Sequence, residues 1–319
     1  MNKETLSKLL QMETTPEALN NSRAYLRDHL RGFLQPNKKI LVCFPNTGED
    51  SVGSLMGSVV RELGAEPIFW GPDFRWKTLL RLAFDSRAVT VMGPPLVVFG
   101  LMKLAKATAT PLNIHNALIG GYPFASWIID GIKRGLDCRI WGCYLIDDGP
   151  VVAGITCDKE AGIHIRDSLF EACISDETGG KMADAQRGYL TLRYRLADEI
   201  VFDSEETAKI WHQPCSCGCD DPRIVETVYV GSEDPAKRVL EERFLAWTSI
   251  LDYRVRLSES GLELELVVFP GEPIPRIPNC AKLTVRSWNP EEDMPFCMEN
   301  TEKFRKMRRK NIDISSCFV

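Results

Sequence analysis

Through its first 146 residues the chain alternates short β-branched and aromatic runs with longer segments whose apolar residues recur at helical spacing. That alternation, with short connections, dictates a layered α/β domain. Residues 39–44 (KILVCF), 66–70, 88–92, 113–119 and 138–146 read as strands. Between them, 51–63, 78–84, 95–107 and 124–135 read as helices, with Gly64 and Gly135 as stops. From Val151 the character changes to shorter strands at 151–157, 163–170, 188–192 and 199–202. Past Gly231 the chain offers a helix at 236–247, strands at 252–257, 262–269 and 281–287, a Pro-rich turn at 270–278 and a charged tail. The reading is a large layered domain over residues 1–231 and a small α+β C-terminal domain over 235–319.

Composition narrows the class. The 319 residues carry 39 basic against 44 acidic side chains, a net charge of -5 that argues against nucleic acid as a partner, since phosphate affinity rests on clustered Lys and Arg. The basic run from Lys303 to Lys310 is the local exception, and by itself it reads as a solvated helix end. No window reaches the ~20 consecutive apolar residues of a membrane span, and residues 1–10 hold no apolar run of the signal-peptide kind. A cytoplasmic protein is expected, with its 11 cysteines as thiols, because a chain this long and aliphatic needs no disulfide staples. Association as a homodimer is left open.

Four cysteines and histidines stand in a metal-like spacing. Cys157 ends one strand and His164 opens the next, with Gly162 in the turn between them, so a hairpin would bring thiolate and imidazole together. Far along the chain lies Cys215-Ser216-Cys217-Gly218-Cys219, where Cys-x-Cys on a Gly-containing loop can offer two thiolates to one ion. Three Cys and one His complete a tetrahedral Zn2+ site with no open position, hence a structural one. Cys219 competes as a ligand and His212 competes more weakly. Spacing alone equally allows a hydrogen-bonded strand histidine beside a surface Cys loop.

A second group suits a nucleotide. Gly120-Gly121-Tyr122-Pro123 follows a strand and precedes a helix, where a bare backbone lets a flat base or phosphate approach. Tyr144 closes the next strand and leads to Asp147-Asp148-Gly149, and Asp198 follows Tyr194-Arg195. An aromatic face beside paired carboxylates at adjacent strand ends matches a base-plus-Mg2+ site at the carboxyl edge of a sheet. Met92, Pro94, Pro95, Phe99 and Tyr122 are candidates to line a pocket there.

These residues resemble the phenylacetate-coenzyme A ligase branch of the adenylate-forming enzymes. The likeness covers residues 14–234 and runs on more faintly. It is carried by VTVMGPPLVVFGLM at 89–102, Gly120-Gly121-Tyr122 at the adenine-binding Gly-Ala-Glu position, and YLIDDGP at 144–150. Further segments are VAGITC at 152–157, GIHI at 162–165, Arg193-Tyr194-Arg195 with Asp198, and Cys215-Ser216-Cys217-Gly218 with Pro222-Arg223-Ile224. The resemblance implies an ATP-binding domain and a small mobile C-terminal domain. It also implies activation of a carboxylic acid, aromatic or short acyl, to an acyl adenylate passed to coenzyme A or another thiol. By position it assigns zinc to Cys157, His164, Cys215 and Cys217, Mg2+ to Asp148, ribose to Asp198, and the reacting carboxylate or phosphate to Lys303.

Departures from the family pattern are specific. The Ser-Gly-Thr-Thr-Gly phosphate loop falls on Glu13-Thr14-Thr15-Pro16, where a carboxylate repels phosphate and proline removes a donor. The hinge reads Gly231-Ser232-Glu233-Asp234, without the arginine. An acid-activating ligase is therefore expected. The alternatives are a catalytically degenerate nucleotide- or ligand-binding protein that keeps the zinc site and the nucleotide pocket, and an enzyme of altered transfer chemistry in the same pocket.

Overall fold

The computed structural model describes residues 15–71, 73–121, 126–146, 149–159, 162–195, 201–229, 247–258, 261–271 and 281–295. Helix α1 (Pro16–Leu30) opens it. Thr15 caps it by accepting from the Ala18 N–H at 3.2 Å, Pro16 takes the first position, and Ser22, Leu26 and Leu30, four residues apart, form its buried stripe. The residues expected to replace a phosphate loop are thus in part a helix start: the Thr15 hydroxyl is engaged as the cap.

Next come β1 (Lys39–Val42), α2 (Val52–Glu62), β2 (Glu66–Phe69), α3 (Trp76–Ser86), β3 (Thr90–Gly93), α4 (Pro95–Ala107), β4 (Asn116–Gly120), α5 (Ser126–Leu136) and β5 (Arg139–Leu145). Strands β2-β1-β3-β4-β5 form a parallel half-sheet in that order. Helices α1 and α2 close over a core that includes Ile40, Val42, Met92, Leu118 and Trp141, while α3, α4 and α5 close over one that includes Leu41, Val91, Ala117 and Ile119. Successive strand residues alternate between the two clusters, as a pleat requires. A Cβ on Gly100 would overlap the Trp76 ring, and one on Gly131 would lie 2.5 Å from Phe99, so these glycines let α3, α4 and α5 pack closely.

The chain then turns antiparallel through β6 (Val152–Thr156), β7 (Ile163–Ile165), β8 (Phe170–Ser175), β9 (Gly188–Tyr194), β10 (Val201–Trp211) and β11 (Arg223–Tyr229). They extend the same sheet in the order β5-β6-β7-β11-β10-β9-β8, making eleven strands. The run at 163–170, expected as one strand, divides: Leu169 and Phe170 donate back to the Arg166 carbonyl at 2.9 and 2.8 Å, and that turn carries the chain to the far edge. Strand β11 is an addition to the elements read from the sequence, and β10 is longer than expected.

A second sheet holds β12 (Ile250–Ser258) antiparallel to β13 (Gly261–Val268) and β13 parallel to β14 (Lys282–Ser287). Its apolar face, with Leu251, Leu264 and Leu266, joins the core beneath α3 and α4. The helix expected at 236–247 lies outside the described residues except for Trp247, and so does the proposed boundary between residues 231 and 235. Among the described residues no helix is long and apolar enough to cross a membrane.

Candidate functional site

The order β6-β7-β11-β10 decides where the cysteines and the histidine meet. His164 is central on β7, opposite Ile155 of β6 and Arg223 of β11. Cys157 leaves β6 directly, and the loop between β10 and β11 delivers Cys215 and Cys217 to the same strand ends. Two glycines make this possible. Gly162 adopts φ +106° before β7, where a Cβ would sit 2.7 Å from the Ile224 carbonyl oxygen. Gly218 adopts φ +89° and donates its N–H to Cys215 at 2.9 Å, folding the Cys-x-Cys segment into a tight knuckle.

The ligand atoms of Cys157, His164, Cys215 and Cys217 all lie within 4.8 Å of one another. Cys157 Sγ is 3.8 Å from Cys215 Sγ, and Cys217 Sγ is 3.6 Å from His164 Nε2. At ordinary Zn–S and Zn–N bond lengths, a tetrahedral ion separates two sulfurs by about 3.8 Å and a sulfur from a nitrogen by about 3.6 Å. Both spacings fit, so the four groups could hold one thiophilic ion.

Protonation is distributed unevenly across the cluster. Burial raises the Cys215 thiol, but hydrogen bonds from the Cys217 backbone and from the Cys217 and Cys157 thiols outweigh it, so its pKa falls below the ordinary value. Cys217 is pushed up to about 11, by burial first and then by the neighbouring thiols. Burial holds His164 low, against the opposing pull of the nearby Asp221 backbone, and so keeps the imidazole in the neutral form that ligates metal. The competitors fall elsewhere: Cys219 is not in the cluster, and His212 Nδ1 is 2.8 Å from Asp184.

At the carboxyl edge of the parallel half, Gly120 pairs with Cys143, the neighbour of Tyr144, so the ends of β4 and β5 lie side by side. Gly120 is buried and Gly121 turns at φ +82°. Tyr144 is 4% exposed, in a cluster with Ile146, Val151 and Ala153, which leaves little ring face for a base in this conformation. Tyr122, Asp147, Asp148, Asp198 and Lys303 lie outside the described residues. Of the pocket candidates, Phe99 is used in helix packing, against Gly131 of α5.

Sequence reasoning missed two residues with structural roles, the first of them beside the metal cluster. Gly154 leaves room for the His164 carbonyl, and Lys103 is buried at the contact between α4 and β12. Gly154 lay inside a motif noted only for its order, and an isolated glycine in a strand pattern was the available signal.

No family model and no curated protein sequence matches the chain. Solved structures do. A 2-hydroxyisobutyryl-CoA ligase described in the postadenylation state superposes with a TM-score of 0.59 at 12% identity, over 92% of this chain and 69% of its own. The chain has the fold of adenylate-forming ligases. A benzoate CoA ligase from Burkholderia xenovorans LB400 agrees over 83% of this chain and 62% of its own, with a TM-score of 0.50 and 11% identity. An anthranilate CoA ligase in complex with anthranoyl-AMP agrees over 83% and 59%, with a TM-score of 0.52 and 8% identity. This chain therefore spans between about three fifths and two thirds of these ligases.

Proposed function

We propose that this chain activates a small carboxylic acid, aromatic or short acyl, by joining it to the AMP of ATP, with coenzyme A or another thiol as the acceptor. The observation that carries the reading is the fold match over 92% of the chain to a ligase described with an acyl-AMP. In support, the paired ends of β4 and β5 bring Gly120-Gly121 beside the strand that runs into Asp147-Asp148. The base would lie along Gly120, Gly121 and Tyr122, with Tyr144 at its side. Asp198 would accept hydrogen bonds from the ribose hydroxyls, and Lys303 would face the reacting carboxylate. Mg2+, held with ATP by Asp148, would supply charge neutralisation on the phosphates. Attack of the acid's carboxylate oxygen on the α-phosphorus then expels pyrophosphate.

In the same reading Cys157, His164, Cys215 and Cys217 hold a structural Zn2+ that ties the β6–β7 and β10–β11 turns together. With four protein ligands it has no open position for substrate. Because β6 runs antiparallel to β5, the cluster lies at the end of the sheet where β5 begins, with Arg139 donating to the Asp158 carbonyl, opposite the carboxyl ends of β4 and β5.

A second reading, a nucleotide- or ligand-binding protein without turnover, draws on one observation: the Thr15 hydroxyl, in the segment where the resemblance puts the phosphate loop, is engaged as a helix cap. Calorimetric titration with ATP and with AMP, each with Mg2+, tests both. Binding weakened by Asp198→Ala by roughly 1.5 to 3 kcal/mol, the range for hydrogen bonds to charged groups, supports the nucleotide assignment. Binding of neither nucleotide ends both nucleotide readings.

A further inference from the structure

Helix α4 carries a lysine in the middle of its buried face. Lys103 is 4% exposed, and its ammonium stands 5.0 Å from the centre of the Phe99 ring one turn earlier. Nζ donates to two carbonyls of the chain entering the second sheet, those of Trp247 and Ile250, at 2.9 Å each. The Ile250 contact falls where the β12–β13 register shifts, between Ile250 and Asp252. Burial pushes the Lys103 pKa down to about 7, and the charge acting against that is Asp252 on β12. A cation that costs this much to bury is retained only where it is well coordinated.

A second junction lies at α3, where Arg75, the residue before the helix, provides no side-chain cap. The cap comes from the far end of the small sheet: Trp76 N–H donates to the Asp293 carbonyl at 3.0 Å, and Arg75 Nη1 donates to the Glu291 carbonyl at 2.9 Å. Asp293 is itself 5% exposed, held by Arg286 of β14 and by the Asn289 N–H at 2.6 Å. Between the two junctions runs the shared apolar core.

We propose that, in contrast to the mobile C-terminal domain that the resemblance implies, the three-stranded sheet is locked onto helices α3 and α4, with Lys103 as the latch and the Asp293 turn as the second pin, so that the two sheets keep one relative arrangement. The lock joins polar groups 144 and 216 residues apart in sequence, on either side of one core. A sheet that swung freely would leave both the ammonium and the first N–H of α3 without these partners.

Hydrogen exchange read by mass spectrometry on the full chain tests the lock. In the parent protein, the amides of β12 and β13 should exchange within a factor of about ten of those in β3 and β4. Lys103→Met, which keeps the volume and removes the donors, should speed exchange in β12 and β13 at least tenfold while leaving β3 and β4 unchanged. Lys103→Gln, which keeps an N–H donor, should restore part of the protection. The proposal is overturned if the parent's β12 and β13 already exchange a hundredfold faster than β3 and β4, a comparison that needs no variant. Unchanged exchange in Lys103→Met overturns it equally.

Discussion

Replacing Gly154 by alanine tests whether backbone packing between β6 and β7 builds the metal cluster. An ideal Cβ there overlaps the carbonyl oxygen of His164 and lies 3.0 Å from the His164 carbonyl carbon. Both are backbone atoms of the neighbouring strand, so no side chain can rotate away. Overpacking of this kind costs typically 1 to 3 kcal/mol, and the upper end applies because the strain must be taken up by moving β7. Gly154 pairs with Tyr144 on one side and Ile165 on the other, so β6 cannot simply shift outward. Gly154→Ala should lose about 3 kcal/mol in denaturant unfolding. It should also bind metal more weakly, because His164 and Cys157 are carried by the two strands being separated. Gly32→Ala is the control: nothing lies within 4 Å of its Cβ and no left-handed φ is imposed there, so it should change stability by less than about 1 kcal/mol and keep the parent's metal content. The reasoning is refuted if Gly154→Ala unfolds at the parent's denaturant midpoint and retains the parent's metal content.

Three further outcomes follow from the geometry. Thr15→Ala should cost about 1 kcal/mol of stability through the lost helix cap and leave nucleotide affinity unchanged; weakened ATP binding at unchanged stability would return Thr15 to the phosphates. Elemental analysis should find one zinc per chain, lost in Cys217→Ser and kept in Cys219→Ser, whereas the reverse pattern would move the ligand to Cys219. Because burial lowers Lys103 to about 7 while an unfolded lysine titrates near 10.4, the unfolded chain binds the extra proton between those values. The Lys103 contribution therefore strengthens stability as pH rises from about 7 towards 10, by at most about 1.4 kcal/mol per pH unit, and is flat below 7. The parent minus Lys103→Met difference in unfolding free energy should show that slope, and a flat difference would contradict it.

Helix α4 was legible to the residue, because Pro95 sets its first turn and its apolar stretch, interrupted only by Gly100, Lys103 and Lys106, runs to Ala107. Strands β1 to β5 were legible for the related reason that their hydrophobic runs are bounded by turn residues. The Cys157–His164 hairpin could be anticipated because the two residues are close in sequence, and Cys215-x-Cys217 because the pair is local. What united them was not local: β11 enters between β7 and β10, and only that pairing carries the Cys loop to His164. Helix α1 escaped because Thr and Pro serve phosphate loops and helix starts alike, and residues beyond the motif decide which. Phe99 and Lys103 sit one turn apart on α4, and their roles depend on partners more than thirty and more than a hundred residues away. No spacing rule reaches that far.

The central claim, that this fold still activates an acid, is tested most directly by pyrophosphate release from ATP and Mg2+ across a panel of aromatic and short acyl acids. The resemblance puts Glu13 in the phosphate loop and gives the hinge Gly231-Ser232-Glu233-Asp234 no arginine, so slow, acid-dependent release is predicted. It should be abolished by Asp148→Ala and reduced less by Lys303→Ala, because neutralising charge on the phosphates is the larger contribution. The absence of release with every acid in the panel, or release unaffected by Asp148→Ala, would contradict the account.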